Sequence, residues 1–439
     1  MSRDVAVIGA GPAGLAAAWE LVSSGCTVTL YEREAGVGGR LRTDALEGVR
    51  ADVVVQLLGA YYDETLRLAR EVGAGDLLRR SPGRDALWRG GRAHPITYGS
   101  VASMATSSAL PAGLKFRLAG RYLPFLRRHS RYLDPNRPVL ALEAGLDDES
   151  IASWGRREVG DDFVELLVYP QLAAYYGATP EETSAGFYHA LASAGLDLGL
   201  VAVRGGVASL VDALLRAIEG RGGRLESGVD VRVVRSADDG VRVEWDGGAR
   251  RHDAAVVAVP AAVAREVLEV DDDVREWLSG VRTAPAASLA LLVEGPPLAD
   301  FFGLSFPRVD PAGARVAALC IEANKGAGLE AEGRSVVVLY AAPAAAESLA
   351  TMAPRDVLDA MLPAAETAFP GLRGRIRRAK SYRIPAGGTL FPPGYLAHLR
   401  RFPAHRLPAT LALAGDYLVA PTVEGAVRSG RVAARQVLR

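Results

Sequence analysis

DVAVIGAGPAGLAAAWELVSSGCTVTLYE, residues 4–32, decides the fold of this 439-residue chain. Asp4–Ile8 is a short apolar run typical of a buried strand, and Pro12–Ser24 is rich in the helix formers Ala and Leu. Thr27–Tyr31 is a second strand of mostly β-branched and aromatic residues. The stretch therefore predicts a strand, helix and strand whose two strands lie parallel in one sheet.

The turn between the first strand and the helix carries the spacing G-x-G-x-x-G at Gly9, Gly11 and Gly14, and an acid ends the second strand. The first glycine permits the tight turn, the second lets the backbone approach a diphosphate, and the third lets helix and strand pack closely. Glu32 is placed to accept hydrogen bonds from ribose hydroxyls. The pattern favours a bound dinucleotide over a glycine-rich turn without ligand, and leaves FAD and NAD both open. The predicted binding residues here are Gly9, Gly11, Pro12, Ala13, Gly14, Glu32 and Arg33.

GVGGRLRT, residues 36–43, follows at short range. It resembles the glycine doublet of the superfamily of flavin-containing amine oxidases and protoporphyrinogen oxidases. The resemblance implies that the cofactor is FAD and that Gly38, Gly39 and Arg40 approach its diphosphate. A guanidinium suits that position because it can bind phosphate oxygens bidentately. Without the doublet, a solvated loop arginine would be the favoured interpretation.

Two further segments resemble the same superfamily. AGDYLVAPTVEGAVRSGRVAARQVL, residues 414–438, is similar to its closing FAD motif. RGGVASLVDALLRAIEGRGGRLESGVDV, residues 204–231, is similar to its helix and adenine-contacting strand. The resemblance implies an acid near the ribitol and diphosphate, and a helix N-terminus that faces the flavin and stabilises the reduced ring. The residues implied are Val231, Gly415, Asp416, Val423, Glu424, Gly425 and Ala426.

The remaining pattern predicts an α/β fold in which a Rossmann-type FAD-binding domain carries a discontinuous, inserted α+β substrate domain. Gly228–Trp245 and Asp253–Pro260 are interpreted as sheet segments that return to the first unit. Thr410–Leu418 is predicted as a strand and turn, and Val423–Leu438 as a helix. The predicted FAD-binding domain comprises residues 1–84, 205–281 and 386–439, and the substrate domain comprises residues 85–204 and 282–385.

Residues 150–185 resemble the protoporphyrinogen oxidase-like branch of the superfamily. In the amine oxidases a lysine on the strand after the inserted domain holds a water near the flavin, whereas residues 283–294 contain no lysine. The segment ADVVVQLLG, residues 51–59, departs from the usual D-x-G-A-Q, because Val54 and Val55 replace the small pair. The substrate face of the flavin is therefore expected to differ from that of close relatives.

FAD, bound non-covalently, carries the chemistry in this interpretation, so no acid–base pair is needed and no catalytic residue is assigned. The six histidines show no metal-ligand spacing, and no metal site is predicted. Aromatic and amide side chains are the candidates for the substrate pocket, although single aromatics are more often core residues. The pocket candidates are Gln56, Tyr175, Tyr176, Tyr382 and Tyr417.

Composition excludes several other classes of protein. Lys plus Arg equals Asp plus Glu at 51 each, so the overall field attracts neither nucleic acid nor an anionic membrane. The two cysteines, far apart, suggest the reducing cytoplasm, and neither a signal peptide nor a membrane span is recognised. The basic stretch 114–133 is favoured as a solvated helix face over a peripheral membrane contact or a contact with substrate carboxylates. The oligomeric state is left open.

The leading hypothesis is an FAD-dependent oxidoreductase that dehydrogenates a bulky small-molecule substrate, like protoporphyrinogen oxidase, with O2 as the electron acceptor. The alternative enzymes are a polyene or carotenoid desaturase and a tailoring oxidase of specialised metabolism. The alternative outside enzymes is a binding protein without redox activity, similar to GDP-dissociation inhibitors. The complete glycine doublet and C-terminal motif disfavour that last alternative, and fold alone does not give the substrate.

Overall fold

The computed structural model describes residues 2–195, 199–237 and 240–439. The strands are β1 (Asp4–Ile8), β2 (Thr27–Glu32), β3 (Thr43–Leu46), β4 (Val49–Asp52), β5 (Leu58–Gly59), β6 (Leu78–Arg80), β7 (Asp85–Arg89), β8 (Arg92–Ile96), β9 (Leu200–Val203), β10 (Arg224–Ser227), β11 (Val231–Ala237), β12 (Gly240–Trp245), β13 (Gly248–His252), β14 (Ala254–Val257), β15 (Leu268–Glu269), β16 (Thr283–Glu294), β17 (Gly303–Ser305), β18 (Val316–Ile321), β19 (Arg334–Ala341), β20 (Ile376–Thr389) and β21 (Leu411–Leu413).

The helices are α1 (Pro12–Ser23), α2 (Asp63–Glu71), α3 (Val101–Thr106), α4 (Ala112–Arg117), α5 (Leu123–His129), α6 (Ile151–Glu158), α7 (Asp161–Phe163), α8 (Tyr169–Tyr176), α9 (Ala185–Gly195), α10 (Ala208–Glu219), α11 (Ala261–Val267), α12 (Asp272–Ser279), α13 (Pro343–Thr351), α14 (Pro354–Ala368), α15 (Tyr395–Arg400) and α16 (Val423–Val437). No helix in this described part of the chain combines the length and apolar character needed to cross a bilayer.

A five-stranded parallel sheet with the strand order β10-β2-β1-β14-β21 organises the N- and C-terminal segments. Its strands are almost fully buried, as expected when both faces of a parallel sheet are covered. Helices α1, α10 and α16 cover one face. A Cβ at Gly430 of α16 would lie 2.1 Å from the Ala13 carbonyl oxygen of α1, so the two helices can cross this closely only at a glycine. The predicted Rossmann-type unit is confirmed.

Gly228–Trp245 returns to the first unit as a sheet segment, but not within its parallel sheet. Strands β11 and β12 form an antiparallel pair in a separate four-stranded sheet, ordered β13-β12-β11-β15, that packs on the other face of the parallel sheet. Their alternation of apolar and charged residues leaves one face in water, which a central strand of a buried parallel sheet cannot do. Asp253–Pro260 does return to the parallel sheet, as β14.

A seven-stranded sheet, ordered β20-β16-β19-β18-β17-β7-β8, occupies the other part of the molecule. One face packs through Leu289, Leu319 and Leu339 against the apolar side of α14. On the opposite face, Ser305, Ala318 and Tyr340 lie in one row across three strands. Helix α8 lies over that second face. The space between sheet and helices is a large cavity. The predicted α+β character of these segments agrees with this sheet, while the exact domain boundaries stay a prediction.

Candidate active site

The glycine-rich loop has the geometry that its sequence predicts. Gly9 has φ +97°, a conformation that other residues rarely adopt, and a Cβ there would approach the Ala258 carbonyl oxygen to 2.8 Å. A Cβ at Gly14 would lie 1.8 Å from the Gly9 oxygen, which accounts for a glycine at the helix–strand contact. At Gly11 nothing lies within 4 Å of the Cβ position. The loop is therefore closed by its first and third glycines and open at the second, where a diphosphate would approach.

Glu32 lies at the end of β2 beside this loop. Its Oε2 accepts from the backbone amide of Ala10 at 2.9 Å, and its Oε1 accepts from the amide of Glu34 at 3.0 Å. The carboxylate is thus fixed at the loop while each oxygen keeps a lone pair for a ribose hydroxyl. The amide of Val229 binds the Glu32 carbonyl at 2.9 Å, which brings the start of β11, with Val231, to the same edge. The Arg33 side chain is exposed and pairs with Glu34.

The glycine doublet packs against the first loop. The amide of Gly38 donates to the Ala10 carbonyl oxygen at 2.8 Å. A Cβ at Gly39, whose φ is +54°, would lie 3.5 Å from the Gly11 Cα. Since Gly38 also has a positive φ, at +102°, the doublet can form this contact only as glycines. The two loops together form a shallow cradle of backbone.

Arg40 and Asp416 come from opposite ends of the chain and meet at this cradle. Arg40 Nη1 lies 2.8 Å from Asp416 Oδ2, and the other carboxylate oxygen accepts from Thr389 at 3.0 Å. The charge of Asp416 raises the pKa of Arg40. Gly415, which precedes the aspartate, donates its amide to Ser429 at 2.8 Å, so α16 fixes this turn.

The last helix begins at the same place. Thr422 caps α16 and accepts from the Gly425 amide at 2.9 Å, while Val423 and Ala426 line the cavity. The Glu424 side chain does not line the cavity. It is fully buried and accepts from the amides of Glu64 and Thr65, each at 2.9 Å, at the N-terminus of α2. The predicted position of Glu424 at the start of the last helix is confirmed, whereas no local pattern predicts its contact with α2.

These residues fit FAD on structural grounds. Gly11 leaves an open path, Glu32 keeps free acceptor positions, and an arginine and a helix N-terminus converge on the same cradle. FAD would be held through its diphosphate at Gly11, Gly39 and Arg40, and through a ribose at Glu32.

A cavity of about 460 Å³ opens from this cradle toward the seven-stranded sheet and is lined mainly by apolar surface. Among the predicted pocket residues, Gln56, Tyr175 and Tyr176 line it. So do Val54 and Val55, the pair that departs from the resembled motif. The departure from the resembled motif therefore lies at the cavity wall.

The pocket assignment of Tyr382 and Tyr417 is wrong, because neither lines this cavity. Tyr382 packs in a core cluster between β4 and the sheet, and its hydroxyl donates to Asp44 at 2.9 Å. Tyr417 is almost completely buried against α12 and β21. Both are the apolar core residues that single aromatics more often are.

Tyr61 and Tyr62 are cavity residues that sequence reasoning missed. Their rings meet edge to face with centroids 4.9 Å apart, and both line the cavity beside Tyr176. Burial raises the pKa of both phenols, so they are neutral at physiological pH. The adjacent pair of tyrosines shortly after Gln56 was the available signal. The cavity residues Asp85, Tyr98 and Tyr340 were missed as well.

A buried charged cluster lies behind Gln56. Lys325 is fully buried, and its Nζ lies 2.6 Å from Asp52 Oδ2, 2.7 Å from Glu322 Oε2 and 2.9 Å from Gln56 Oε1. Gln56 in turn donates to the Tyr340 hydroxyl at the cavity wall. Burial alone would lower the pKa of Lys325, but Glu322 and Asp52 outweigh it and the pKa is raised. Burial raises the pKa of Glu322, although Lys325 acts in the opposite direction.

Comparison with known proteins places this geometry in a family. The sequence profile described as "Flavin containing amine oxidoreductase" matches residues 12–438. A Mycobacterium tuberculosis protein, provisionally named a flavin-containing monoamine oxidase, is 30% identical over 283 residues, 61% of this chain and 59% of that protein. The matched region thus spans about three fifths of that relative. Coproporphyrinogen III oxidase of Propionibacterium freudenreichii is 29% identical over 192 residues, covering 40% of this chain and 32% of that protein.

The fold itself has solved counterparts. The crystal structure of a protein from Exiguobacterium sp., provisionally named a protoporphyrinogen oxidase, superimposes with a TM-score of 0.77. It is 18% identical, and the match covers all of both chains. This likeness confirms the fold class.

Proposed function

Because this chain belongs to the family of flavin-containing amine oxidoreductases, we propose that it is an FAD-dependent oxidoreductase that dehydrogenates a bulky, largely apolar small molecule. Family membership confirms the expected cofactor, FAD, and the expected class of flavin oxidoreductase. The reaction and the substrate are the proposal. The observation that carries it is the cavity of about 460 Å³ that begins at the dinucleotide cradle and ends among apolar and aromatic side chains.

The cofactor supplies the redox chemistry, since a bound flavin accepts a hydride equivalent from a carbon held beside its ring. The chain's own residues position the substrate and keep water out of the cavity. Val54, Val55, Tyr61 and Tyr176 enclose the cavity and exclude water. Gln56 offers an amide whose orientation is fixed by Lys325. The cofactor is proposed to be held non-covalently by the cradle, since no attachment residue is assigned.

The substrate is proposed to resemble a porphyrinogen rather than a simple amine. The cavity wall formed by Pro285, Ala286, Ala287 and Ser288 belongs to β16, which carries no lysine. A wall without that lysine cannot hold a water at the flavin as the resembled amine oxidases do. Oxidation of a polyene or of a specialised-pathway intermediate is the second candidate, favoured by the two valines at the substrate face.

Electron acceptor and location are parts of the same proposal. O2 is proposed to reoxidise the flavin, and two buried free cysteines suit a reducing cytoplasm. A peripheral membrane contact is supported by Phe116, which is 79% exposed beside Lys115 in the basic stretch. The alternative interpretation of that stretch, a solvated helix face, is supported by Arg121. Its side chain donates to the Glu158 carbonyl oxygen at 3.2 Å.

A redox-inactive binding protein, similar to GDP-dissociation inhibitors, is the alternative of another class. The open path at Gly11 and the Arg40–Asp416 pair disfavour it, because a protein without flavin needs neither. A yellow purified protein whose colour is released on denaturation would exclude it.

Anaerobic mixing with a panel of porphyrinogens, polyenes and small primary amines tests the proposal. The expected result is bleaching of the flavin absorbance by a bulky conjugated or cyclic substrate and slow or no bleaching by simple amines. Rapid bleaching by small primary amines alone would overturn the substrate class. Colourless protein that FAD does not reconstitute would overturn the cofactor as well.

A further inference from the structure

Asp85 is an acidic residue at the end of the cavity that lies away from the dinucleotide cradle. It begins β7, pairs with Gly303 of β17, and is 7% exposed. Four strand spacings across the sheet separate β7 from β16, which is about 19 Å. Since β16 and β20 form the wall beside Arg40, Asp85 lies far from the flavin-binding residues.

Asp85 is not paired with a cation in the part of the chain that the structure describes, although Arg80 also lines the cavity. The Gly303 amide is the one group that lowers its pKa, and no ion pair of the described residues includes it. The titratable side chains whose pKa the charge of Asp85 raises are Tyr98, from the segment after β8, Tyr175 of α8 and Cys320 of β18. Burial raises the pKa of each of these three groups, so all are neutral near pH 7. Burial likewise raises the pKa of Asp85 to about 7.

Two other buried carboxylates of the chain accept from several donors, including a cation. Asp52 accepts from Lys325, from Thr43 and from the Val207 amide, and Glu424 accepts from Arg428 and two amides. A buried carboxyl without such partners is costly to the fold. Because Asp85 lines a cavity, the missing partner can come from a ligand. A protonated amine supplies what the site lacks, a positive charge and N–H donors, whereas the rest of the wall suits an apolar body.

We propose that Asp85 binds a protonated amine at the remote end of an elongated, largely apolar substrate. This amine is a recognition group and not the group that is oxidised, since β7 lies about 19 Å from the wall beside Arg40. The inference deepens the second candidate of the proposed function, a polyene or specialised-pathway intermediate, and the word substrate rests on that proposed function. The binding site itself stands on the cavity and on Asp85.

Equilibrium binding of n-octylammonium and of n-octanol to the purified holoenzyme, measured by calorimetry, tests the proposal. If only the ionised carboxyl binds the cation, a pKa of about 7 means that about a tenth of Asp85 is competent at pH 6 and about nine tenths at pH 8. The affinity for octylammonium should therefore rise about tenfold between these pH values. Octanol, which has the same chain without the charge, should show no such increase.

Asp85→Asn should weaken octylammonium binding at pH 8 by about tenfold or more and remove its pH dependence, while octanol binding is kept. Asp300→Asn is the matched control, because Asp300 is exposed in the segment before β17 and makes the same change of charge. It should leave octylammonium binding unchanged. Flavin absorbance of both variants tests whether they keep the cofactor. Asp85→Glu should restore part of the preference for the cation.

Equal binding of octylammonium to the wild type and Asp85→Asn would overturn the proposal. So would tighter binding at pH 6 than at pH 8, because octylammonium is a cation at both pH values and the ionised carboxyl would then not be its partner. The anaerobic flavin assay is scored separately. If no substrate bleaches the flavin while Asp85 still governs octylammonium binding, the proposed function fails and the site remains.

Discussion

The two ends of the cavity handle buried charge in opposite ways. At the dinucleotide end, Glu32, Asp416 and Glu424 each accept hydrogen bonds from donors of the chain itself. At the far end, Asp85 has a single backbone amide. The first arrangement is stable before any ligand arrives, and it leaves only diphosphate and ribose positions open. The second is balanced only by a proton or by a ligand that enters the cavity.

The cluster around Lys325 lies between these extremes. Its lysine is balanced by Asp52 and Glu322, so the site is complete without a ligand. It reaches the cavity only through Gln56 and Tyr340. The comparison teaches that burial of a charge alone does not identify a binding site. A buried charge indicates a binding site when it has no cation of the chain to balance it and is accessible from a cavity.

The largest expected effect is the loss of flavin from variants at the dinucleotide end of the cavity. Gly11→Val should fold and yet purify almost without flavin, because its side chain would enter the open path of the diphosphate. Glu32→Ala removes hydrogen bonds worth about 1.5–3 kcal/mol, and should weaken flavin retention by about 10- to 150-fold. The ratio of flavin to protein absorbance in the purified variants measures both.

Gly36→Val is the control for Gly11→Val, since Gly36 is exposed, has an ordinary φ and also has nothing within 4 Å of its Cβ position. It should keep its flavin. Full occupancy in folded Gly11→Val would show that the glycine loop is not the cofactor site.

The second effect tests whether the Lys325 cluster is internally balanced. Lys325→Met should lower the free energy of unfolding by about 3–5 kcal/mol, because it leaves two buried carboxyls without their cation. Lys380→Met provides the matched control. Lys380 is about half exposed and pairs with Asp44, so its loss should cost no more than about 1 kcal/mol. Chemical denaturation of both holoenzyme variants measures the difference, and equal small losses would contradict the assignment.

Local signals explain what the sequence could predict. The β1–α1–β2 unit and its glycines lie within 32 residues, and the physical reason for each glycine can be stated from a single turn. The doublet at Gly38 and Gly39 and the motif at Gly415 and Asp416 are also short. Their resemblance to a known family carried the prediction that the two chain ends meet.

The failures come from contacts that no local pattern encodes. Lys325 and Asp52 are 273 residues apart, and nothing beside either one indicates the other. Tyr382 and Tyr417 could be placed in core or cavity only by knowing which face of each element is covered. Asp85 has the same origin, because β17, α8 and β18, which contribute Gly303, Tyr175 and Cys320 around it, come from distant segments.

The smallest expected effect concerns the stability of the far end. Asp85→Asn, in holoenzyme without substrate, should be more stable than the wild type at pH 8 and less stable at pH 4. Burial raises the pKa of Asp85 from 3.8 to about 7, so the folded wild type holds a proton that the unfolded chain releases. Wild-type stability therefore falls as pH rises through this window, by up to about 4 kcal/mol in total.

Asparagine does not titrate, and its buried amide costs about 1–2 kcal/mol at every pH. The net gain of Asp85→Asn should thus be about 2 kcal/mol above pH 7, and its net loss about 1 kcal/mol near pH 4, where the folded carboxyl is protonated and about half of the unfolded carboxyl is still ionised. Thermal unfolding of the two proteins across this range should show the curves crossing. Parallel curves would mean that Asp85 already has a partner within the chain. If the curves cross as expected, added octylammonium should reduce the stability advantage of Asp85→Asn over the wild type at pH 8, because the cation binds the wild type more tightly.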